Sequence, residues 1–142
     1  MTIATILANK GSEVVTLSTD HTVGDAVKLL AERRIGAVPV VENGEVAGIF
    51  SERDVIHCLA TYGAGALDRP VGDAMTAPAI TVSKSEAALG ALTLMTRRRI
   101  RHLPVVENGQ LVGFVSIGDL VKYRIDKIEA DAEAMRNYIQ AV

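Results

Sequence analysis

The chain has 142 residues, of which 49% are hydrophobic and 23% are charged, so it is long enough and apolar enough to bury a core. This balance excludes disordered, collagen-like and mucin-like chains. Aromatic residues make up only 4%, so the core is aliphatic and a site that stacks many bases on rings is excluded. The formal net charge of −2 disfavours a general binder of polyanions, which needs a surplus of positive charge.

The single cysteine, Cys58, cannot form a disulfide within the chain and is expected to be a small buried apolar residue. Residues 1–10 lack the basic start and the long apolar stretch of a secretory signal. No window approaches the ~18 consecutive apolar residues of a membrane span. These features predict a cytoplasmic protein that does not act at a membrane. The three histidines are too scattered in sequence to indicate a metal site.

The chain contains one internal repeat. Residues 35–48 (IGAVPVVENGEVAG) return 65 residues later as 100–113 (IRHLPVVENGQLVG). The same offset relates residues 16–54 to residues 81–119 without a gap. Two copies are too few for a solenoid, and each is too small to bury a core of its own. We therefore expect the copies to pack on each other as one pseudo-twofold domain.

Each copy begins with a strand and an amphipathic helix. Residues 14–17 and 79–82 are short β-branched runs, which predict strands. Apolar residues then recur at helical spacing and predict one helix in each copy. These residues are Val23, Ala26, Val27 and Leu30 in the first copy and Ala88, Ala91, Leu92 and Met95 in the second. The helices are expected to be capped by Thr22 with Asp25 and by Ser83 with Glu86.

A hairpin and a second helix complete each copy. Asn43-Gly44 and Asn108-Gly109 lie between apolar runs, which is the strongest short hairpin signal because both turn residues need positive φ. A second helix is expected after Ser51 and after Ser116. The predicted fold is of the mixed α/β (α+β) class, with a β-α-β-β-α unit that occurs twice. The expected segments are 1–14 (N-terminal), 15–62 (first copy), 63–78 (linker), 79–123 (second copy) and 124–142 (C-terminal helix).

The C-terminal helix carries a heptad seam. The seam residues are spaced 4-3-4-3-4-3, as Val121, Ile125, Ile128, Ala132, Met135, Ile139 and Val142. Such a helix either packs back on its own domain or pairs with another helix. The narrow stripe and its extension beyond the repeat favour pairing, so we expect a homodimer.

Ser51-x-x-Asp54 and Ser116-x-x-Asp119 lie at the start of the second helix of each copy. Ser at the N-cap position with Asp three residues later forms a capping box, which needs no ligand. A carboxylate near a helix start also accepts hydrogen bonds from two vicinal hydroxyls, as a ribose presents. The motif alone leaves both interpretations open.

Basic residues distinguish the two copies. Arg101-His102 in the second copy replaces the uncharged Gly36-Ala37 of the first, and Gly36 allows a ligand to approach the backbone closely. At least two of the three arginines 97–99 are expected to form a solvated helix end stabilised by the helix dipole. For the first copy, Arg53 and Lys10 are candidate phosphate-binding residues.

Two further pairs occupy matching positions in the copies. Pro39 and Pro104 lack an amide donor and favour an extended residue before them, so we expect them at a cleft-lining edge rather than in a central strand. Thr16 and Thr81 lie on the predicted first strand of each copy. A β-branched residue that only fills a strand explains either threonine equally well.

This order of elements and motifs resembles a tandem pair of cystathionine β-synthase (CBS) domains, the Bateman module. The resemblance covers roughly residues 10–125 and is specific, because strand, helix, hairpin and Ser-x-x-Asp occur in that order twice. It implies two intertwined repeats with a cleft between their sheets, where adenosine nucleotides such as AMP, ATP, NAD or S-adenosylmethionine bind. CBS pairs also commonly dimerise into a disc.

The resemblance also implies roles for individual residues. The Ser and Asp of each Ser-x-x-Asp motif contact the ribose, and the threonine of each first strand contacts the base. The pair Arg101-His102 faces phosphates, which suits the donor geometry of a guanidinium. We expect this pair to serve the same site as Asp119, and Asp54 to serve the other.

The function expected from the sequence is that of a stand-alone CBS-pair sensor, which binds an adenosine nucleotide and signals to an effector protein that the sequence does not identify. No catalytic residues, catalytic cofactor or metal are expected. Two alternatives are a nucleotide-dependent enzyme, disfavoured by the lack of a phosphate-binding lysine motif, and a nucleic-acid-binding protein that uses Arg97–Arg101, disfavoured by the net charge.

Overall fold

The computed structural model describes residues 1–11 and 13–141 of the chain. Helix α1 (Ile3–Lys10) precedes the first copy, which consists of β1 (Leu17–Ser18), α2 (Val23–Arg33), β2 (Ala37–Glu42), β3 (Glu45–Ser51) and α3 (Glu52–Tyr62). A 3-10 helix (Gly63–Asp68) and the short helix α4 (Val71–Ala74) follow. The second copy consists of α5 (Ala88–Arg98), β4 (His102–Glu107), β5 (Gln110–Ser116) and α6 (Ile117–Ala141).

Both predicted hairpins are present. β2 pairs antiparallel with β3, and β4 pairs antiparallel with β5 in the matching register. Residues Asn43, Gly44, Asn108 and Gly109 all have positive φ, as the Asn-Gly turn requires. In the first copy β1 adds to β2 in parallel, which gives the strand order β1-β2-β3.

The strand predicted over residues 79–82 is reduced to one bridge. Val82 donates its amide to the Pro104 carbonyl (3.0 Å) and accepts from the Val106 amide (2.9 Å). It pairs in parallel with Val105, as Leu17 pairs with Val40 in the first copy. Its neighbours at 79 and 80 instead line a cavity described below. The topology of the repeat is therefore kept with a shorter ladder.

One of the two predicted helix caps is correct. Thr22 caps α2: the Asp25 amide donates to Thr22 Oγ1 and the Thr22 amide donates to Asp25 Oδ2, both at 3.0 Å. Ser83 with Glu86 does not cap α5, which begins at Ala88 with Ala87 at the N-cap position. The Ser83 amide reaches the Glu86 side chain at 3.4 Å within a turn that precedes the helix.

The sequence predicted no element before residue 14, yet α1 forms and packs into the core of the second copy. Ile3, Ile6 and Leu7 are buried together with Met95 and Leu103. Backbone hydrogen bonds fix this docking: the Ile3 amide donates to Glu86 O (2.9 Å) and the Ala88 amide donates to Met1 O (3.0 Å).

The linker makes the reciprocal contact with the first copy. Val71 of α4 is buried in the first core, and its amide donates to His21 O (2.7 Å), while the Val23 amide donates to Arg69 O (2.8 Å). Residues Val71 and Val23 thus repeat the bonds of Ile3 and Ala88. Each core is completed by the segment that precedes the other copy, so the two copies are intertwined.

The first core also includes the linker's 3-10 helix. Ala66 is buried against α3, where Cys58 lies 3.9 Å from the Ala66 carbonyl. Cys58 is buried and free, as predicted for a small apolar residue. The linker is therefore a structural part of the first copy.

Helix α6 begins within the second core and then leaves it. Leu120 is buried, whereas the seam residues from Ile125 onward are exposed, with Ile125 at 49% and Ile128 at 53%. Val142, the last predicted seam residue, lies outside the described residues. The described part of the chain holds no helix that is long and apolar enough to cross a membrane.

Candidate functional site

A cavity of about 550 Å³ lies between the two copies. The first copy contributes the end of β3, the start of α3 and the chain at the start of β2. The second copy contributes the end of α5 and the turn into β4, and residues 76–80 between the copies complete the lining. The polar lining residues are Ser51, Glu52, Arg53, Asp54, Thr76, Arg98, Arg99, Arg101 and His102. The remaining lining residues are Gly36, Ala37, Ile49, Ile56, Pro78, Ala79, Ile80 and Ile100.

Asp54 lines this cavity from the first turn of α3, where the hydrogen bonds of a capping box hold its carboxylate. The Ser51 amide donates to Asp54 Oδ2 (2.9 Å), and the Asp54 amide donates to Ser51 Oγ (3.4 Å), which completes a capping box. The Thr76 hydroxyl donates to Asp54 Oδ1 (2.9 Å). Asp54 Oδ2 also accepts from Ser51 Oγ (3.1 Å), so one lone pair of Oδ1 stays open for a ligand, and a second donor would replace the hydroxyl of Ser51 or Thr76.

Arg98, Arg99 and Arg101 of the second copy line the same cavity. Within residues 1–11 and 13–141, no carboxylate lies within 4.0 Å of any of the three as an ion-pair partner. Arg99 has a φ of 54°, the left-handed conformation that ends α5 and turns the chain into the cavity wall. Arginines 97–99 are all exposed at the C-terminal end of α5, as expected of a solvated helix end, and Arg98 and Arg99 are also among the residues that line the cavity.

His102 lies beside these arginines. Its ring stacks on Phe114, with centroids 5.5 Å apart and planes inclined by 13°. Burial lowers the pKa of the His102 imidazole below its ordinary value, and the charges of Lys10 and Arg101 lower it further, while Asp119 and Glu52 act in the opposite direction. The imidazole is consequently neutral at pH 7 and available to gain a proton.

Arg101 and His102 lie next to both Ser-x-x-Asp motifs. Beside their own motif, the Ile117 amide donates to Arg101 O (2.8 Å) and His102 pairs with Ser116 across β4 and β5. Arg101 and His102 line the same cavity as Ser51 and Asp54 of the other copy, whereas Asp119 is not among its lining residues. The reason is the intertwined packing, which places the start of β4 opposite the start of α3. The sequence grouped residues by copy, but the cavity takes one wall from each copy.

Asp119 forms a second capping box. The Ser116 amide donates to Asp119 Oδ2 (2.8 Å) and the Asp119 amide donates to Ser116 Oγ (3.1 Å). Lys10 Nζ lies 2.6 Å from the same Asp119 oxygen. Burial alone raises the pKa of the Asp119 carboxyl, but the hydrogen bonds from Lys10 and Ser116 outweigh it and leave the pKa below its ordinary value.

The other predicted site residues lie outside the cavity lining. Pro39 is buried in β2, the middle strand of its sheet, and Pro104 is buried in β4, which has β5 on one side and Val82 on the other. The expectation of an edge position is thus wrong for both prolines. β1 pairs only with Val40 and Val41, so the missing amide of Pro39 breaks no ladder bond. Thr16 and Thr81 are exposed, and each lies next to a strand or bridge residue.

Several lining residues were missed in the sequence. Thr76 and Pro78 fell in the predicted linker, residues 79 and 80 fell in the predicted first strand of the second copy, and Glu52 lies between the two residues of the capping motif. Residues 76–80 reach the cavity because the linker docks on the first copy. That docking depends on tertiary packing, so no local motif in the sequence predicts it.

The family model of the CBS domain matches residues 9–61 and 71–126. The chain belongs to the CBS-domain family. It is 36% identical to the mitochondrial CBS domain-containing protein CBSX3 of Arabidopsis thaliana, over 98% of this chain and 72% of that protein. It is 40% identical in sequence to a CBS-domain protein from Agrobacterium tumefaciens whose crystal structure is known. The two structures have a TM-score of 0.84 over 87% of this chain and 99% of that one.

A further solved structure similar to this CBS pair contains a ligand. The protein CBSX2, crystallised in complex with AMP, is 26% identical, with a TM-score of 0.71 over 82% of this chain and 90% of that one. These comparisons confirm the resemblance and the α/β fold that the sequence predicted. The individual site residues remain predictions, for which the cavity supplies the geometry.

Proposed function

We propose that this CBS pair binds an adenosine nucleotide such as AMP, ATP or NAD in the cavity between its copies and signals its occupancy to an effector protein. The observation that carries the proposal is the composition of one cavity, which is lined by an aspartate and by three arginines that have no carboxylate partner among the described residues. A nucleotide with vicinal hydroxyls and phosphate has the matching polarity. No chemical step is assigned to the protein.

Asp54 is the proposed acceptor for the ribose. Its bonds to Ser51 and Thr76 hold the carboxylate in place at the N-terminus of α3. One ribose hydroxyl can donate to the open lone pair of Oδ1, and the second can replace the hydroxyl of Thr76 or Ser51. The Ser51 amide bond of the capping box is kept in either case, so the capping box and the ribose role are compatible.

Arg98, Arg99 and Arg101 are the proposed phosphate ligands, with His102 beside them. Charge-assisted hydrogen bonds from guanidinium to phosphate are among the stronger polar contacts in proteins. Apolar side chains in the same lining suit the faces of a purine ring, among them Ile49, Pro78 and Ile80. A volume of about 550 Å³ lies in the range of about 300–1,000 Å³ typical of small-molecule sites.

The relatives support the proposal without settling it. CBSX2 binds AMP in a related fold, and the resemblance to CBS pairs implies an adenosine ligand. The cavity is also too small for a nucleic acid duplex, so the exposed arginines do not favour the alternative of nucleic-acid binding. The cytoplasmic location stays a prediction, since the Arabidopsis relative is named as a mitochondrial protein.

The proposal is tested by calorimetric titration of AMP and adenosine. Asp54→Ala should weaken both ligands, because both carry the ribose. Asp25→Ala is the matched control, since Asp25 forms the same capping box on α2 but does not line the cavity. If Asp54→Ala binds AMP no more weakly than Asp25→Ala does, the ribose assignment is wrong.

A second pair of variants tests the phosphate end. Arg98→Ala should weaken AMP and leave adenosine unchanged, whereas Arg97→Ala should change neither, because Arg97 is an adjacent arginine outside the cavity lining. Loss of one charge-assisted bond costs about 1.5–3 kcal/mol, so AMP affinity should fall by roughly tenfold or more. Equal losses of AMP and adenosine would contradict the assignment. Conversion of ATP or NAD to products would show an enzyme instead.

We also propose that the chain forms a homodimer through α6. Several seam residues along the helix are exposed, among them Ile125, Ile128 and Met135. A continuous apolar stripe in water is unfavourable for a monomer, and a second α6 offers the same stripe for mutual burial. The test of this proposal is given in the Discussion.

A further inference from the structure

The two Ser-x-x-Asp carboxylates have different partners, although their capping boxes are alike. In the first copy the Thr76 hydroxyl donates to Asp54 Oδ1, and the Thr76 amide donates to Ile49 O, both at 2.9 Å. In the second copy Lys10 Nζ donates to Asp119 Oδ2 and to Phe114 O, both at 2.6 Å. Phe114 is the residue that matches Ile49 under the 65-residue offset.

Lys10 Nζ thus takes the place of the Thr76 amide at the matching carbonyl, and it supplies the side-chain bond to the carboxylate as well. The carboxylate atoms differ: Lys10 contacts Oδ2 of Asp119, which also accepts from the Ser116 amide, whereas Thr76 contacts Oδ1 of Asp54. The pseudosymmetry brings both groups to this place, because Leu7 of α1 packs on Gly113 of β5 as Thr76 pairs with Ile49 of β3. The difference is charge: an ammonium neutralises the carboxylate, whereas a hydroxyl does not.

Part of the surrounding chemistry is repeated in the second copy. Ser116 and Asp119 match Ser51 and Asp54, while Arg33 and Arg34 match Arg98 and Arg99. Arg34 also ends its helix with a φ of 53°, as Arg99 does with 54°. The basic pair is not repeated, because Gly36-Ala37 match Arg101-His102. Lys10 is the element that directly contacts the second carboxylate.

We infer that Lys10 is a built-in competitor of the ribose at Asp119, so that each chain binds one nucleotide, at Asp54, and none at Asp119. This inference rests on the proposed function. The vicinal hydroxyls of a ribose are neutral donors and would meet a carboxylate whose charge an ammonium at 2.6 Å already neutralises. Thr76 presents no such obstacle at Asp54, because its hydroxyl leaves the carboxylate charge unpaired.

The experiment counts the AMP molecules bound per chain by calorimetry. The unmodified chain should bind one AMP molecule. Lys10→Thr introduces the side chain found at position 76 and should bind two. The affinity of the second site in this variant should be at least tenfold above the detection limit for second binding in the unmodified chain. Lys10→Met keeps the aliphatic stem on α1 and should show the same gain if threonine disturbs the helix.

Two further variants define the site that is gained. Adding Asp119→Asn to Lys10→Thr should remove the second AMP and leave the first. Thr76→Lys, at an exposed position, should place an ammonium at Asp54 and weaken the first AMP at least tenfold. Circular dichroism confirms that each variant is folded.

The outcomes separate the two proposals. A second AMP on the unmodified protein, or no gain in both folded Lys10 variants, would overturn the role of Lys10. An AMP affinity that Asp54→Ala leaves unchanged would overturn the proposed function. A site gained by Lys10→Thr and lost again with Asp119→Asn would support Lys10 as the competitor even then.

Discussion

Leu7 packs directly on Gly113, so closely that a Cβ atom on this glycine would lie 2.7 Å from both leucine methyl groups. The matching residue in the first copy, Gly48, makes the same close approach to the linker. A Cβ there would lie 2.6 Å from the Thr76 carbonyl oxygen and 2.8 Å from Met75 Sδ. Both halves of the intertwined packing thus depend on a glycine in the second hairpin strand.

Gly48→Ala should destabilise the protein more than Gly113→Ala. At Gly113 the added methyl meets the end of the flexible Leu7 side chain, whereas at Gly48 it meets the backbone oxygen of Thr76, which moves only with the linker. Overpacking typically costs about 1–3 kcal/mol, and we expect Gly48→Ala at or above the top of that range. Urea unfolding measures the free energy of unfolding of both variants.

Gly90→Ala is the control for these two variants. Gly90 lies within α5, and the nearest atom to an added Cβ is 4.0 Å away. Alanine should stabilise an exposed helix position by about 0.5–1 kcal/mol relative to glycine. Equal unfolding midpoints for Gly48→Ala and Gly90→Ala would refute the packing argument.

Ile3→Ala should destabilise the second copy. Ile3 is 0% exposed, and truncation of such a side chain costs about 2–5 kcal/mol. Leu89→Ala, at a position that is 60% exposed, should change the free energy of unfolding by no more than about 0.5 kcal/mol. A similarly small loss for Ile3→Ala would show that α1 contributes little to the core.

The parts of this fold that were predicted from the sequence have local causes. Asn-Gly fixes each hairpin because the turn needs positive φ at both residues, and Thr22 with Asp25 caps α2 through contacts three residues apart. Ser83 with Glu86 has the same spacing but is followed by no helix until Ala88. A Ser or Thr three residues before an acidic residue therefore predicts a cap only where the helix begins directly after it, and the spacing of apolar residues did not fix where α5 begins.

The parts that were missed depend on tertiary packing. Ile3, Ile6 and Leu7 are spaced as one helix face, but nothing local shows that this face docks on the second copy. The sequence therefore groups Arg101 with Asp119 of its own copy, beside which it lies, but not with Asp54, whose cavity it also lines. The site residues stay predictions, and the structure adds that Ser51, Asp54, Arg101 and His102 line one cavity.

AMP binding should be coupled to proton uptake at His102. Burial lowers the pKa of this imidazole in the free protein, so it is neutral near pH 7. A phosphate beside the ring favours the charged form and raises that pKa. Between the two pKa values the complex holds more protons on His102 than the free protein, so AMP affinity relative to the His102→Gln variant should rise as pH falls through the pKa of the complex.

Calorimetry in buffers of different ionisation enthalpy measures this proton uptake. AMP itself gains a proton near pH 6, as phosphate monoesters do. His102→Gln is therefore titrated in the same buffers, and the proton number of the unmodified protein should exceed that of the variant. Identical proton numbers would place His102 away from the phosphate.

The last prediction concerns the exposed seam of α6. Ile125 and Ile128 lie on a helix that projects beyond the second core, and both are about half exposed. Ile125→Lys with Ile128→Lys should shift the chain from dimer to monomer in sedimentation equilibrium, because a lysine in an apolar helix interface must be desolvated. Asp126→Lys with Glu129→Lys is the matched control, since it adds lysines at neighbouring exposed positions off the seam and should leave the dimer intact. AMP binding by the monomeric variant should be unchanged, because the Asp54 cavity lies in the body of one chain. If the unmodified protein is monomeric at high micromolar concentration, the α6 dimer does not exist.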